Sequence, residues 1–270
     1  MTYNLLKGKK GIIFGALDEN SIAWKVALKA HEEGAKFTLT NAPIAMRMGE
    51  INKLAEHCGA TVIPADATSL EDLENLFTKS IEALGGKIDF VLHSIGMSPN
   101  IRKGREYGDL NYEWFLKTFD ISALSFHKVM QVAEKKDALN EYASIVALSY
   151  IAAQRSFPDY TDMSQAKAAL ESIARSYGAR LGKLKKVRVN TISQSPTKTT
   201  AGKGISGFDV FYDFADMMSP LGNATAEDCA DYTISLFSDL TKKVTMQNLM
   251  HDGGFSYSGI TSELIERLSK

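Results

Sequence analysis

Short apolar runs alternate with helix-length amphipathic stretches from one end of the chain to the other, with no break in composition. Few architectures accept that order. Strands that alternate with helices lie parallel and are covered on both faces. The runs that read as strands are Gly11–Gly15, Lys36–Thr40, Ala60–Pro64, Ile88–His93, Ala143–Leu148, Val187–Ile192 and Gln247–His251. Most are solidly apolar or β-branched, as doubly buried strands should be. Between them, Ile22, Val26, Ala27 and Ala30 share one helical face, and Gly34 follows as a stop. Ser69-Leu-Glu-Asp72 and Thr225-Ala-Glu-Asp228 have the form of capping boxes. Residues Tyr112–Glu134 and Tyr160–Leu181 carry longer helical patterns.

The expectation is a single doubly wound α/β domain of Rossmann type over residues 1–270, built on a seven-stranded parallel sheet. At 270 residues and 44% hydrophobic, the chain can bury one large core. Lys and Arg number 31 and Asp and Glu 32, so the net charge is −1. No global basic field is available for nucleic acid or an anionic membrane. No apolar run approaches the roughly 20 residues of a membrane span. The start, Met-Thr-Tyr-Asn-Leu-Leu-Lys-Gly-Lys-Lys, lacks a signal-peptide pattern. Two distant cysteines, Cys58 and Cys229, make neither a disulfide framework nor a metal pattern. The expected location is the cytoplasm, with no metal.

Chemistry-bearing residues gather at the expected strand ends, where open α/β sheets bind ligands. Gly15 ends the first strand, and Ser21-Ile22-Ala23 opens the helix behind it. A pyrophosphate could sit on that helix N-terminus, although the usual three glycines are absent; an ordinary loop with an N-cap serine fits as well. Asp66-Ala67 follows the third strand, where a carboxylate could reach an adenine amino group. His93-Ser94-Ile95-Gly96 ends the fourth, and Gly96 permits close backbone approach. His93 reads as a structural strand-end histidine satisfied by backbone, and His31, His57, His127 and His251 as structural too, because no metal or triad spacing accompanies them.

The segment from Ser149 to Lys167 is the most informative. Carbonyl-reducing short-chain dehydrogenases carry Tyr-x-x-x-Lys here, but four residues before Lys167 stands Met163. Tyr160 precedes the lysine by seven residues. On a regular helix both would share a face, about 10.5 Å apart in rise, against ~6 Å for a spacing of four. The longer spacing suits conjugate reduction of an enoyl thioester. There hydride enters at the β-carbon and charge develops on an oxygen two atoms further away.

With these residues in view, the sequence resembles the bacterial NADH-type (FabI) enoyl-acyl-carrier-protein reductases of the short-chain dehydrogenase superfamily. The likeness is carried by Gly15 with Ser21-Ile22-Ala23, Asp66-Ala67, His93–Gly96, Leu148-Ser149-Tyr150, Pro158-Asp159-Tyr160, Lys167, Val187-Arg188-Val189-Asn190, Pro196-Thr197, Asp228 and Asp252-Gly253-Gly254-Phe255. It implies reduction of the trans-2 double bond of enoyl thioesters on acyl carrier protein, with NADH rather than NADPH, in type II fatty acid elongation. It implies Tyr160 as the enolate-stabilising phenol, Tyr150 as a secondary acid or positioning group, and Lys167 on the nicotinamide ribose. Gly15, Ser21 and Ile22 would meet the pyrophosphate and ribose, Asp66 and Ala67 the adenine, and Ser94, Ile95 and Gly96 the nicotinamide. Thr197, Lys198, Thr199, Thr200 and Ala201 would cover the diphosphate and nicotinamide. Met97, Ser98, Met163, Ile205 and Phe208, with both tyrosines, would line the acyl site. A homotetramer is implied as well.

Three departures stand out. Ala42 replaces the family's glutamine beyond the second strand, Asp209 and Val210 replace a basic patch, and Ser193-Gln194-Ser195 replaces a small-residue run. No acid follows the second strand, and Arg47 lies a few residues on, where an arginine could read a 2′-phosphate. Residues 195–218, glycine-rich and then aromatic, read as a lid. The alternatives are a carbonyl-reducing dehydrogenase, which the missing Tyr-x-x-x-Lys disfavours, and a non-catalytic dinucleotide-binding protein.

Overall fold

The computed structural model describes residues 2–47, 50–200, 202 and 207–269. The strands are β1 Lys10–Phe14, β2 Lys36–Thr40, β3 Thr61–Val62, β4 Ile88–His93, β5 Leu139–Ser149, β6 Arg188–Gln194 and β7 Asn248–His251. They form one parallel sheet in the order β3-β2-β1-β4-β5-β6-β7. The order reverses between β1 and β4, which opens a crevice at their carboxyl ends.

The helices are α1 Ile22–Glu32, α2 Pro43–Met46, α3 Ile51–Cys58, α4 Leu70–Leu84, α5 Pro99–Arg102, α6 Tyr112–Phe119, α7 Ser125–Lys135, α8 Thr161–Lys185, α9 Phe208–Met218, α10 Ala226–Phe237 and α11 Ser262–Leu268. Strand side chains alternate between two cores, as a period of two requires. Ile12, Phe14, Val91, Ile145 and Ala147 join Leu76, Phe126 and Leu170 of α4, α7 and α8 on one face. Ile13, Phe90, Leu92 and Val146 join Val26, Leu54 and Ile234 of α1, α3 and α10 on the other.

Local signals place the elements. Thr225 and Asp228 form a full reciprocal capping box at α10. Ser69 accepts from the Asp72 amide at α4, but the Asp72 carboxylate accepts instead from the Asp66 amide, which ties α4 to the loop after β3. Arg188, 2% exposed, donates to the carbonyls of Leu236 and Ser238 and so closes the end of α10. Asn190 holds the approach to β7 by bonds to the Val244 carbonyl and the Gln247 amide.

Some bounds differ from expectation. The third strand shrinks to two residues because it lies at the sheet edge and Pro64 has no amide to give a ladder. The fifth runs longer at both ends, paired with β4 and β6. The expected 112–134 helix is interrupted by a π-helical turn, Asp120–Leu124, which presents Asp120 and Ile121 to the crevice.

Candidate active site

The crevice is a cavity of about 1300 Å³ lined from the carboxyl ends of β1 to β6 and by α9. Gly15 makes its floor. With φ +93° it sits in the left-handed region, and a Cβ there would lie 2.0 Å from the Ser94 carbonyl oxygen. Only glycine lets the β1 and β4 loops approach this closely. Ser21 occupies the N-cap of α1, but its hydroxyl donates to the Asp18 carbonyl (2.7 Å) rather than capping the helix. The first amides of α1 thus have no side-chain cap, and Ser21 and Ile22 line the cavity, an arrangement that suits an anion. Thr200 reaches across to the Asp18 carboxylate (2.6 Å), joining the start of the 195–218 segment to this loop.

At the β3 end, Asp66 accepts from the Thr68 amide and hydroxyl through one oxygen, leaving the other unengaged by Thr68. Ala67, Asn41, Ala42, Ile44 and Ala45 line the same end. Arg47, exposed at the end of α2, is not among the residues that line the cavity.

Lys167, on α8, is 7% exposed and donates to the Leu148 carbonyl at 2.7 Å. Burial drives its pKa down to about 8, against the opposing pull of Glu171 one turn on. Glu171 is itself 4% exposed and accepts from the Ser149 hydroxyl (2.6 Å) and the Gln154 amide (3.1 Å). A Cβ on Gly96 would point at Lys167 Nζ (3.7 Å) and Met163 Cε (3.9 Å), so the missing side chain leaves that space open.

The phenols of Tyr150 and Tyr160 share this part of the cavity, with ring centroids 5.0 Å apart. Burial raises both pKa values, for Tyr150 with a further push from Tyr160 and Asp252. Both therefore stay protonated and act as donors. The Tyr150 hydroxyl is buried with no hydrogen-bond partner among the described residues. Phe157 and Phe211, 5.0 Å apart and perpendicular, close an apolar wall beside them. Tyr160 is not on a regular helix with Lys167, contrary to the geometry drawn from spacing. It is the cap residue of α8, and the next residue, Thr161, has φ +31°.

Gly15, Ser21, Ile22, Asp66, Ala67, Ser94, Ile95, Gly96, Met97, Ser98, Tyr150, Tyr160, Met163, Lys167, Thr197, Thr199, Thr200 and Phe208 all line the one cavity. Lys198 does not. It sits at the apex of a tight turn closed by the Thr199 amide on the Thr197 carbonyl, and its ammonium lies 4.2 Å over the Tyr212 ring. Ala201 and Ile205 lie outside the described residues. Ser98 contributes wall rather than a free hydroxyl, because its oxygen caps Ile101 and donates to Asp162.

His93 is structural, but through a side chain rather than the backbone. Its Nε2 donates to Ser125, which itself donates to the Ile121 carbonyl. Burial, with the nearby Lys167 charge, holds its pKa down at about 3. His251 bonds Gln194 (2.7 Å) and stacks on Tyr232. Gln194 also donates to the Ala224 carbonyl, and Ser195 accepts from the Ala224 amide. These bonds account for the unusual Ser193-Gln194-Ser195 run, which anchors the start of the 195–218 segment. Sequence reasoning missed Asp162, Asn100 and Glu171, whose partners are remote in the chain.

The model of the enoyl-(acyl carrier protein) reductase family matches residues 15–256. Enoyl-[acyl-carrier-protein] reductase [NADH] 1 of Rhizobium meliloti is 34% identical over 258 residues, covering 95% of this chain and 93% of that protein. FabI of Bacillus subtilis, an enoyl-[acyl-carrier-protein] reductase [NADH], is 32% identical over 253 residues, 93% of this chain and 96% of its own. The crystal structure of the FabI–NADH complex from Alistipes finegoldii superimposes with a TM-score of 0.96 at 65% identity, over 97% of this chain and 93% of that one.

Proposed function

The chain belongs to the enoyl-(acyl carrier protein) reductase family, and from that premise we infer that it reduces the trans-2 double bond of enoyl thioesters on acyl carrier protein with NADH. The observation that carries the reading is local. Tyr160 and Lys167 enter one cavity, while the position four before the lysine is filled by Met163, 6% exposed. No phenol stands where carbonyl reduction needs one.

NADH, when bound, supplies the hydride that enters at the β-carbon. Tyr160 donates its proton in a hydrogen bond to the thioester oxygen as enolate charge develops there, a preorganised donor in a water-poor site. Tyr150, buried and without a hydrogen-bond partner among the described residues, lies beside it as a second donor or positioning group. Lys167 holds the ribose hydroxyls with a compact charge. Gly15, Ser21 and Ile22 receive the diphosphate at the N-terminus of α1, and Asp66 with Ala67 the adenine. The apolar wall of Met97, Met163, Phe208 and Phe211 takes the acyl chain. Residues 195–200 and 207–218 cover both ligands; Pro196, Thr197, Thr199, Thr200 and Phe208 already line the cavity.

The protein serves type II fatty acid elongation in the bacterial cytoplasm, as a homotetramer. Tyr112 and Leu116, exposed apolar residues on α6, support a subunit contact there, and light scattering checks the assembly. Incubation with NADH and crotonyl thioester should consume NADH and yield the butyryl thioester. No oxidation of NADH, or release of an alcohol or aldehyde, would overturn the assignment.

A further inference from the structure

Asp162 lies behind the cavity wall and is 1% exposed. Four neutral groups surround its carboxylate. Oδ1 accepts from Ser98 (2.7 Å) and Thr161 (3.1 Å), and Oδ2 from the Asn100 amide (2.8 Å) and from the Thr118 hydroxyl (2.8 Å), whose one proton is shared with the Trp114 carbonyl (2.9 Å). These donors come from α5 and its cap, from α6 and from the first turn of α8. An anion at that turn also meets the favourable end of the helix dipole.

The Tyr160 ring packs against the core and the Tyr150 ring, but among the described residues no polar contact orients its hydroxyl. Its hydroxyl makes no hydrogen bond among the described residues, and its backbone is a turn rather than a helix. The Tyr160 amide donates to the Pro158 carbonyl and its carbonyl accepts from the Met163 amide. On either side stand Asp159 at φ +62° and Thr161 at φ +31°. Positive φ is costly for any residue with a Cβ and worst for a β-branched one. Such a conformation persists only where the surroundings over-determine it. Thr161, 4% exposed, is bonded directly to Asp162.

We propose that Asp162 is a positioning residue for the reaction, whose buried network holds the strained 159–161 turn and thereby aims the Tyr160 phenol. The Ser98 oxygen also accepts from the Ile101 amide, which fixes its hydrogen toward Asp162. Both oxygens must accept. The Asn100 oxygen accepts from the Asn111 amide, so its NH₂ is locked toward Asp162. An asparagine at 162 must therefore either face that NH₂ with its own or reverse the Ser98 bond.

The inference rests on the reading of Tyr160 as the enolate donor, and a double-mutant cycle separates the two. Asp162→Asn, Tyr160→Phe and the double variant are assayed with NADH and crotonyl-N-acetylcysteamine, alongside NADH binding by fluorescence titration. Asp162→Asn should lower kcat roughly tenfold or more, as a misaimed group does, with NADH Kd unchanged within about twofold. In the Tyr160→Phe background the same substitution should change kcat by less than about twofold, because the group it aims is gone. Thr118→Val, which removes one donor that does not itself line the cavity, should give a smaller fall with the same dependence on Tyr160, and it serves if Asp162→Asn does not fold. An undiminished fall in the Tyr160→Phe background, or none in either, would overturn the positioning role alone. An unaltered kcat in Tyr160→Phe itself would overturn the reading of Tyr160 and this inference with it.

Discussion

Replacing Lys167 with methionine removes a charge and keeps most of the side-chain volume, so it isolates what the buried ammonium does. The folded protein holds the group at a pKa of about 8, against an ordinary 10.5. Below pH 8 both folded and unfolded chains carry the proton, and the folded state bears the full cost of burying the charge. Between pH 8 and 10.5 the folded protein has released the proton and the unfolded chain still binds it. Stability therefore rises with pH through that window. Integrating the difference in bound protons from pH 7 to pH 10 gives a gain on the order of 2–3 kcal/mol. The side chain is almost wholly buried, so solvent screening takes little from this figure. Urea unfolding of the cofactor-free protein at fixed concentration, at several pH values from 7 to 10, should show wild type gaining this amount relative to Lys167→Met. NADH affinity should move the other way. It should be weakest in the methionine variant, by roughly ten- to a hundredfold as the loss of a charged hydrogen bond implies. In wild type it should fall as pH rises above 8. Unfolding curves that shift in parallel for the two proteins would refute the buried cation. Equal NADH affinity would remove Lys167 from the ribose.

Three further outcomes follow from the same geometry. Tyr160→Phe should lower kcat by roughly 10² to 10³, less if Tyr150 substitutes, with NADH binding little changed; steady-state kinetics and fluorescence titration check both. Gly15→Ala places a Cβ 2.0 Å from the Ser94 oxygen at φ +93°, so the melting temperature should drop and NADH affinity with it; an unaltered melting curve would mean that the β1 loop has room to spare. Hydrogen exchange over residues 195–200 and 207–218 should slow when NAD and an enoyl ligand are bound, and equal protection in both states would make the segment a fixed wall.

The doubly wound order was legible because buried parallel strands are written as solid apolar runs and each helix brings its own stop or cap. Gly15, Asp66, Gly96 and Lys167 were legible because the ends of such strands are where ligands bind. What escaped depends on distant partners or on backbone detail. Asp162 looks like any acid in a first helical turn; its meaning comes from Asn100 and Thr118, 62 and 44 residues away. The spacing of Tyr160 and Lys167 assumed a continuous helix, and the positive φ of Thr161 breaks it. Lys198 was grouped with the threonines around it, and one tight turn sends it to the other side. The π-helical turn at Asp120–Leu124 leaves the hydrophobic pattern of 112–134 intact and so leaves no trace in it.

The central claim is that the cavity directs conjugate reduction, with charge developing on an oxygen that Tyr160 holds. Its most direct test follows the hydrogen. Crotonyl-N-acetylcysteamine is reduced with NADH deuterated at C4 on the transferred face, and the product is analysed by NMR. The account predicts a butyryl thioester with deuterium at C3 and with solvent hydrogen added at C2. Deuterium at C1 or C2, or an oxidised NADH pool with the double bond still in place, would contradict it.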